Sequence, residues 1–161
     1  GRALRAGFGV HQEVLTPGEV AALEPSLPPT GASGLYFPDS MNVADPKTLM
    51  RRLLDAATAR GVSVAQAAVA RLRVEADGVR LSGSGIRIKA NMVVVAAGAQ
   101  SRALAMQAGD RIPLETERGY HLEFPTKAPL LNRPVCPVDL GFYMTPMTGR
   151  LRVAGTVELG G

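Results

Sequence analysis

The residues that could carry out chemistry are few in this chain and lie far apart. His11 and His121 are separated by 110 positions, and neither has a cysteine or another histidine at metal-ligand spacing, so we expect no metal site. Ser84, in Gly-Ser-Gly, lacks the strand-to-helix setting of a hydrolase nucleophile. Cys136 has no evident base beside it and, as a single cysteine, excludes an internal disulfide.

Two glycine patterns resemble a phosphate-binding loop only in part. Such a loop reads Gly-x-Gly-x-x-Gly between a strand and a helix. After Gly83 and Gly85 the third glycine is replaced by Ile88, and after Gly7 and Gly9 it is replaced by Gln12. We therefore expect this chain alone not to hold a dinucleotide at a helix terminus.

One apolar segment is more suggestive. Residues 92–96 read Met-Val-Val-Val-Ala, followed by Ala97 and Gly98 and then by a helical pattern over 101–108. A continuous apolar run predicts a strand buried on both faces, as in a parallel sheet. The small residues after it would let a ligand approach closely, or would simply permit a tight turn packed for its own sake.

Helix signals are clear at two places. Thr16-Pro-Gly-Glu19 is a capping box that predicts a helix from residue 17. Asp45-Pro46 predicts a second helix that runs to about Arg60 and stops at Gly61, with an apolar stripe that includes Leu49 and Leu53.

Strand signals dominate the rest of the chain. Alternating patterns predict strands over residues 35–37, 62–64, 69–75, 79–82, 86–88, 117–124, 142–145 and 151–158. Asp77-Gly78 predicts a hairpin turn, and turns are also expected at 83–85 and 147–149. The mixture indicates an α/β to α+β fold.

Composition limits the class of protein. The chain has 161 residues, 46% of them hydrophobic, and a net charge of +4 that is spread over scattered arginines. No basic stripe with interleaved aromatic residues occurs, so we expect no nucleic-acid partner. The longest apolar run is far shorter than the roughly 20 residues of a membrane helix, and the first residues lack a signal-peptide core.

Six short motifs follow one another along the chain: residues 34–39 (Gly-Leu-Tyr-Phe-Pro-Asp), 42–46 (Asn-Val-Ala-Asp-Pro), 93–101 (Val-Val-Val-Ala-Ala-Gly-Ala-Gln-Ser), 118–120 (Arg-Gly-Tyr), 143–146 (Tyr-Met-Thr-Pro) and 151–158 (Leu-Arg-Val-Ala-Gly-Thr-Val-Glu). In this order they resemble the FAD-dependent D-amino-acid oxidase superfamily, with most similarity to its D-amino-acid dehydrogenase and glycine oxidase branch. The resemblance covers nearly the whole chain, from about residue 15 to residue 161.

The resemblance implies a β-rich mixed-sheet substrate domain with helices and part of a Rossmann-like FAD domain. On this basis, residues up to about 110 are the mixed α/β part with FAD-domain strands, and residues from about 111 to 161 supply substrate-domain strands. The implied reaction is hydride transfer from an amino acid to flavin, giving an imine and then a keto acid and ammonia.

The resemblance also assigns candidate residues. Val69 is similar to the family's valine at the adenine end of FAD, and Ala97 and Gly98 to small residues beside its ADP half. Tyr143 is similar to a substrate-pocket tyrosine whose hydroxyl can donate to the substrate carboxylate. Tyr120 is a second substrate-pocket candidate, with bracing of the sheet as its alternative. The resemblance assigns no catalytic residue.

The family's Gly-x-Gly-x-x-Gly unit and its carboxylate-binding arginine segment are not found in the sequence. We therefore expect a central fragment of a longer enzyme that binds FAD weakly or not at all alone and is inactive by itself. Alternatives are a sarcosine-type oxidase, a glycerol-phosphate dehydrogenase, or a non-catalytic binding module without cofactor.

An exposed apolar surface on this chain would favour the interpretation as a fragment and would permit a homodimer. A cytoplasmic location fits the single cysteine, and the dehydrogenase branch implies peripheral association with the inner membrane.

Overall fold

A computed structural model describes residues 1–160. Within these residues the chain forms four helices and eight strands, with single turns of 3-10 helix at Gly98–Gln100 and Val138–Leu140. In chain order the elements are α1 (Arg2–Gly7), β1 (Glu13–Leu15), α2 (Pro17–Leu23), β2 (Gly34–Tyr36), α3 (Pro46–Ala59), β3 (Val69–Glu75), β4 (Gly78–Gly83), β5 (Ile86–Ala90), α4 (Ser101–Ala108), β6 (Glu117–Pro125), β7 (Tyr143–Met147) and β8 (Arg150–Leu159).

The predicted helix boundaries are confirmed by their caps. At α2 the Thr16 side chain accepts a hydrogen bond from the backbone N–H of Glu19, whose carboxylate accepts one from the Thr16 N–H at 2.8 Å. At α3 the Asp45 carboxylate accepts hydrogen bonds from the N–H groups of Lys47 and Thr48. Gly61, with φ at +89°, lies just after the end of α3, where a left-handed residue commonly follows a helix.

Strands β3, β4 and β5 form an antiparallel meander with opposite faces of different chemistry. Cross-strand partners share a face, so Leu72, Leu81 and Ile88 form one apolar row. The other face carries Arg71, Arg73, Arg80, Arg87 and Lys89, because these residues alternate with the apolar ones along the same strands. The turns at Asp77-Gly78 and at 83–85 are confirmed.

Two further sheets are present. Strands β1 and β2 pair antiparallel, with Glu13 opposite Tyr36. Strands β6, β8 and β7 form a three-stranded sheet with β8 in the centre, and β7 pairs antiparallel with β8 so that Tyr143 lies opposite Ala154. The mixed helix and sheet class expected from the sequence is confirmed.

The chain divides into two compact units. One unit consists of Gly1–Leu54 and Gly119–Val157, and the other of Asp55–Arg118 with residues 158–160. Both units are built from discontinuous segments, and the meander and α4 belong wholly to the second.

The structure corrects two expectations and adds two elements. Residues 92–96 form no strand, and Met92 and Val94 are more than 80% exposed, because no neighbouring strand among the described residues offers backbone hydrogen bonds. The strand expected over 62–64 is also absent. The sequence analysis missed α1 and β1, which are too short to show a period of their own.

Few of the described side chains are buried. The buried residues are Leu72, Leu131, Met147 and Glu24, whereas Leu49 and Leu53, in the apolar stripe of α3, are about half exposed. The stripe that the sequence predicts as a core face therefore lies open in this chain. In the described part of the chain, no helix is both long enough and apolar enough to cross a bilayer.

Candidate functional site

The candidate site residues separate into two groups. The cofactor candidates Val69, Ala97 and Gly98 belong to the second unit, and the substrate candidates Tyr120 and Tyr143 belong to the first. Each group is described here within its own unit.

Val69 begins β3 at an irregularity of the sheet. Val69 lies opposite Gly83, but Arg71 lies opposite the adjacent Ser82, so a β-bulge falls between them at Ala70. A Cβ atom on Gly83 would collide with the carbonyl oxygen of Ala68, which is why a glycine is required there. A bulge redirects the backbone and ends regular pairing, a device found next to functional sites. The backbone at Val69 is thus set by a local feature that a strand pattern does not show.

Gln107 on α4 fastens the bulged strand from its free edge. Its side-chain carbonyl accepts a hydrogen bond from the Leu72 N–H at 2.9 Å, and its amide nitrogen donates to the Ala70 carbonyl at 3.3 Å. The same nitrogen lies 3.3 Å from the Ala103 carbonyl within α4. The helix that follows Ala97 and Gly98 is therefore fixed to the strand that begins at Val69, although the structure gives no direct hydrogen bond among the described atoms of these three residues.

Ala97 and Gly98 form an exposed turn before α4. The Ala97 N–H donates to the hydroxyl of Ser101 at 3.0 Å, which closes the turn. Gly98 has φ at +56°, and an added Cβ would meet no atom within 4 Å. An open backbone flanked by small side chains leaves room for another group to approach closely. The assignment of Ala97 and Gly98 to the cofactor stays a prediction.

Tyr143 is the first residue of β7 and is 60% exposed. The next residue, Met144, is fixed by Val135, because the two exchange backbone hydrogen bonds of 2.9 and 2.8 Å. On the opposite strand, a Cβ atom on Gly155 would lie 2.6 Å from the Gly141 carbonyl and 2.7 Å from Phe142. The tyrosine ring thus projects from a rigid backbone while remaining accessible to a ligand.

Tyr120 lies on β6, on the other side of the central strand β8 from Tyr143, and is about half exposed. Its neighbour Arg118 pairs with Glu158 at 3.3 Å, within the second unit. Arg150, on β8, pairs with Glu123 at 3.1 Å. Arg118 and Arg150 are thus both engaged in ion pairs with glutamates of the sheet.

The charged groups most affected by their surroundings serve the fold. Hydrogen bonds from the backbone and hydroxyl of Thr48 lower the pKa of Asp45, and those from Thr16 lower the pKa of Glu19. The hydrogen bonds from Arg80 lower the pKa of Glu75 and raise that of Arg80. His11 lies 3.4 Å from Glu13 and 3.5 Å from Asp39, and among the described residues no cluster of three potential ligands could hold a metal.

The sequence analysis missed a buried carboxylate at the end of α2. Glu24 is only 3% exposed, and its carboxylate accepts a hydrogen bond from the Asn132 N–H and another from the Nε of Arg133, both at 2.9 Å. We call these three residues the Glu24 anchor. The partners are more than 100 positions apart, and no periodic signal links them.

Comparison with curated proteins supports the resemblance seen in the sequence. The chain is 33% identical to a D-amino-acid oxidase of Bradyrhizobium diazoefficiens, over 100% of this chain and 38% of that protein. It is 32% identical to a D-amino acid dehydrogenase of Paramagnetospirillum magneticum, over 95% of this chain and 38% of that protein. The chain therefore spans about two fifths of the length of these relatives.

Comparison with solved structures identifies proteins that share the fold. Glycine oxidase from Geobacillus kaustophilus is similar with a TM-score of 0.86 and 28% identity, over 99% of this chain and 43% of that one. L-proline dehydrogenase from P. horikoshii shares the fold with a TM-score of 0.84 at 21% identity, over 99% of this chain and 44% of that one.

The family model described as FAD dependent oxidoreductase matches residues 1–161. Since that match covers the whole chain, the protein belongs to the FAD dependent oxidoreductase family.

Proposed function

We propose that the full-length protein is a FAD-dependent dehydrogenase or oxidase that acts on an amino acid, and that this chain is a central part of it. The observation that carries the proposal is the 33% identity with a D-amino-acid oxidase over the entire chain. A D-amino acid dehydrogenase at 32% identity supports the same class of substrate. We also propose that this segment, when isolated, is inactive and binds FAD weakly or not at all.

The reaction removes two electrons from the α-carbon and nitrogen of the substrate. The α-hydrogen leaves as a hydride, the nitrogen lone pair forms the carbon–nitrogen double bond, and a proton leaves the nitrogen. Water then adds to the imine and ammonia departs, which yields the 2-keto acid. Bound FAD would supply the two-electron acceptor.

The residues of this chain would bind and orient rather than transfer protons. The Tyr143 hydroxyl, on an exposed ring at a rigid strand end, would donate to the substrate carboxylate. Tyr120 would border the same substrate or brace the sheet. Val69, Ala97 and Gly98 would border the cofactor, since their backbone is locally fixed and, at Gly98, open.

This chain has exposed apolar surfaces, as expected of a segment that packs against the rest of its polypeptide. Residues 92–96 and the stripe of α3 are both apolar, and Met92 and Val94 in the first and Leu49 and Leu53 in the second are exposed. In this proposal the first joins a sheet of the FAD domain as a strand, and the second packs against a part outside this chain. A homodimer through the same surface is the competing arrangement.

The test is a substrate screen of the full-length protein purified with its flavin. We expect turnover with one or more D-amino acids or glycine, measured as 2-keto acid and ammonia in equal amounts. Turnover only with N-methylglycine would indicate a sarcosine-type oxidase, and turnover only with glycerol phosphate a glycerol-phosphate dehydrogenase. A colourless protein without activity after reconstitution with FAD would indicate a binding module and contradict the proposal.

We also propose that the protein works in the cytoplasm at the surface of the inner membrane. The support is the cationic face of the β3–β5 meander, where five basic side chains stand beside the carboxylates of Glu75 and Asp77. Among the described residues, Arg71, Arg73 and Arg87 form no ion pair within 4.0 Å, although the charge of Arg73 acts on Glu75. A cluster of basic side chains near a membrane surface is attracted to anionic lipid headgroups by about 1 kcal/mol per residue.

Vesicle sedimentation of the full-length protein tests this location. Binding is expected to vesicles that contain phosphatidylglycerol, and not to pure phosphatidylcholine, and to weaken as salt screens the charges. The double variant Arg71→Gln/Arg73→Gln should bind roughly tenfold more weakly or worse. Arg51→Gln/Arg52→Gln on exposed α3 is the matched control. Equal binding by both double variants would contradict the assignment of this face.

A further inference from the structure

We propose that Glu24 is a positioning residue for Tyr143, acting through the segment that connects β6 to β7. The inference rests on the proposed function, in which Tyr143 receives the substrate carboxylate. It goes beyond that function by assigning a role in substrate binding to a buried residue that has no direct contact with Tyr143.

Three consecutive residues of the connecting segment are fixed at the Glu24 anchor. Leu131 is 5% exposed, the Asn132 N–H donates to Glu24, and the Arg133 Nε donates to the same carboxylate. The side-chain amide of Asn132 also donates to the Leu23 carbonyl at 3.3 Å. A segment held by one buried side chain and three hydrogen bonds has little freedom at this point.

Arg133 is held from a second side as well. Its guanidinium carbon lies 5.5 Å from the centre of the Tyr36 ring, a cation–π distance. Tyr36 is the last residue of β2, and β2 pairs with β1, which leads into α2 and its C-cap residue Glu24. The Arg133 guanidinium therefore contacts the Glu24 carboxylate and the Tyr36 ring, which belong to connected elements.

The fixed segment leads directly to the substrate candidate. Two residues after Arg133, Val135 exchanges two backbone hydrogen bonds with Met144, the residue that follows Tyr143. Displacement at Arg133 would therefore reach Tyr143 through one bridge of paired backbone. A buried carboxylate that accepts two hydrogen bonds from one segment suits this role, because loss of its charge weakens both bonds together.

The expected effect is on binding of the substrate rather than on chemistry. Tyr143 would contact the carboxylate in both the ground state and the transition state, and loss of such an interaction raises KM while leaving kcat nearly unchanged. In the full-length enzyme we expect Glu24→Gln to raise KM roughly tenfold, the size expected when one hydrogen bond to a charged group is weakened. The affinity for the 2-keto acid product, measured from the shift of the flavin spectrum, should fall by a similar factor.

A double-mutant cycle with Tyr143→Phe tests the route. If Glu24 acts through Tyr143, then Glu24→Gln should raise KM in the parent enzyme and add less than about twofold in the Tyr143→Phe background. Glu117→Gln, at an exposed position at the start of β6 and outside the Glu24 anchor, is the matched control and should leave KM unchanged. If Glu24→Gln does not fold, Arg133→Lys is used in its place, since lysine keeps the positive charge but lacks the planar guanidinium group.

Three outcomes decide the matter. A KM effect that disappears in the Tyr143→Phe background supports the positioning role. An unchanged KM, or a rise of equal size in both backgrounds, overturns it while leaving the amino-acid activity of the parent enzyme intact. A parent enzyme that oxidises no amino acid removes the proposed function and this inference with it.

Discussion

The side chain of Gln107 completes the free edge of β3 by accepting the backbone N–H of Leu72 at 2.9 Å. The relationship joins a helix to a strand across 35 positions of sequence. The side-chain nitrogen of Gln107 also donates a hydrogen bond to the Ala70 carbonyl, which fixes the β-bulge. One glutamine thereby links the segment after Gly98 to the strand that begins at Val69.

Replacement of this glutamine should cost stability. Gln107→Ala leaves the Leu72 N–H without its partner, and loss of a typical hydrogen bond destabilises a protein by about 1 kcal/mol. Denaturant unfolding of the full-length protein measures the change. Gln100→Ala, at a helix-cap position where the side chain makes no cap hydrogen bond, is the control. Equal stability of the two variants would show that the Gln107 contacts contribute nothing.

Gly155→Ala should disturb the strand that carries Tyr143. The added methyl group would lie 2.6 Å from the Gly141 carbonyl, and overpacking of this kind costs about 1–3 kcal/mol. Gly119→Ala on β6 meets no atom within 4 Å and should be neutral or slightly stabilising. Thermal unfolding of both variants checks the contrast. A Gly155→Ala protein as stable as Gly119→Ala would contradict the close packing.

Gly98→Ala separates backbone strain from cofactor binding. Gly98 and Gly85 both have positive φ and open surroundings, so alanine should cost each about 1–2 kcal/mol. Only Gly98 lies at the proposed cofactor edge. We expect Gly98→Ala to lower the FAD content of the purified full-length protein, with Gly85→Ala near the parent value. Equal flavin content in both variants would place the cofactor elsewhere.

The cap of α3 should make stability depend on acid. Because Thr48 hydrogen bonds lower the pKa of Asp45 below its ordinary 3.8, the ionised carboxylate stabilises the folded protein above that value. The contribution is lost as pH falls through the lowered pKa. Asp45→Asn keeps an acceptor without the titration, so its thermal midpoint should fall less steeply than that of the parent between about pH 5 and 3. A variant whose midpoint falls as steeply as that of the parent would contradict a contribution from the Asp45 cap.

Local signals in the sequence predicted most of the elements. Thr16 and Asp45 mark helix starts through hydrogen bonds to residues two or three positions away, and Gly78 marks a hairpin turn. These features depend on residues that are close in sequence, so the local sequence pattern predicts them. The family resemblance, read from ordered motifs, was likewise confirmed.

Features that depend on distant partners were out of reach. Glu24 shows no sequence sign of burial because its partners Asn132 and Arg133 are more than 100 positions away. The apolar residues 92–96 carry a strand pattern but form no strand, since pairing requires a neighbour that the described residues do not provide. The roles of Val69, Ala97, Gly98, Tyr120 and Tyr143 remain predictions that the experiments above address.

The most direct test of the proposed function is anaerobic reduction of the flavin in the full-length protein. The protein is purified with FAD bound, freed of oxygen, and mixed with a D-amino acid or glycine while the oxidised-flavin absorbance is recorded. We predict that the absorbance band disappears, with one 2-keto acid formed per flavin reduced. A flavin that is reduced by dithionite but by no amino acid would contradict the assignment of this chain to an amino-acid oxidising enzyme.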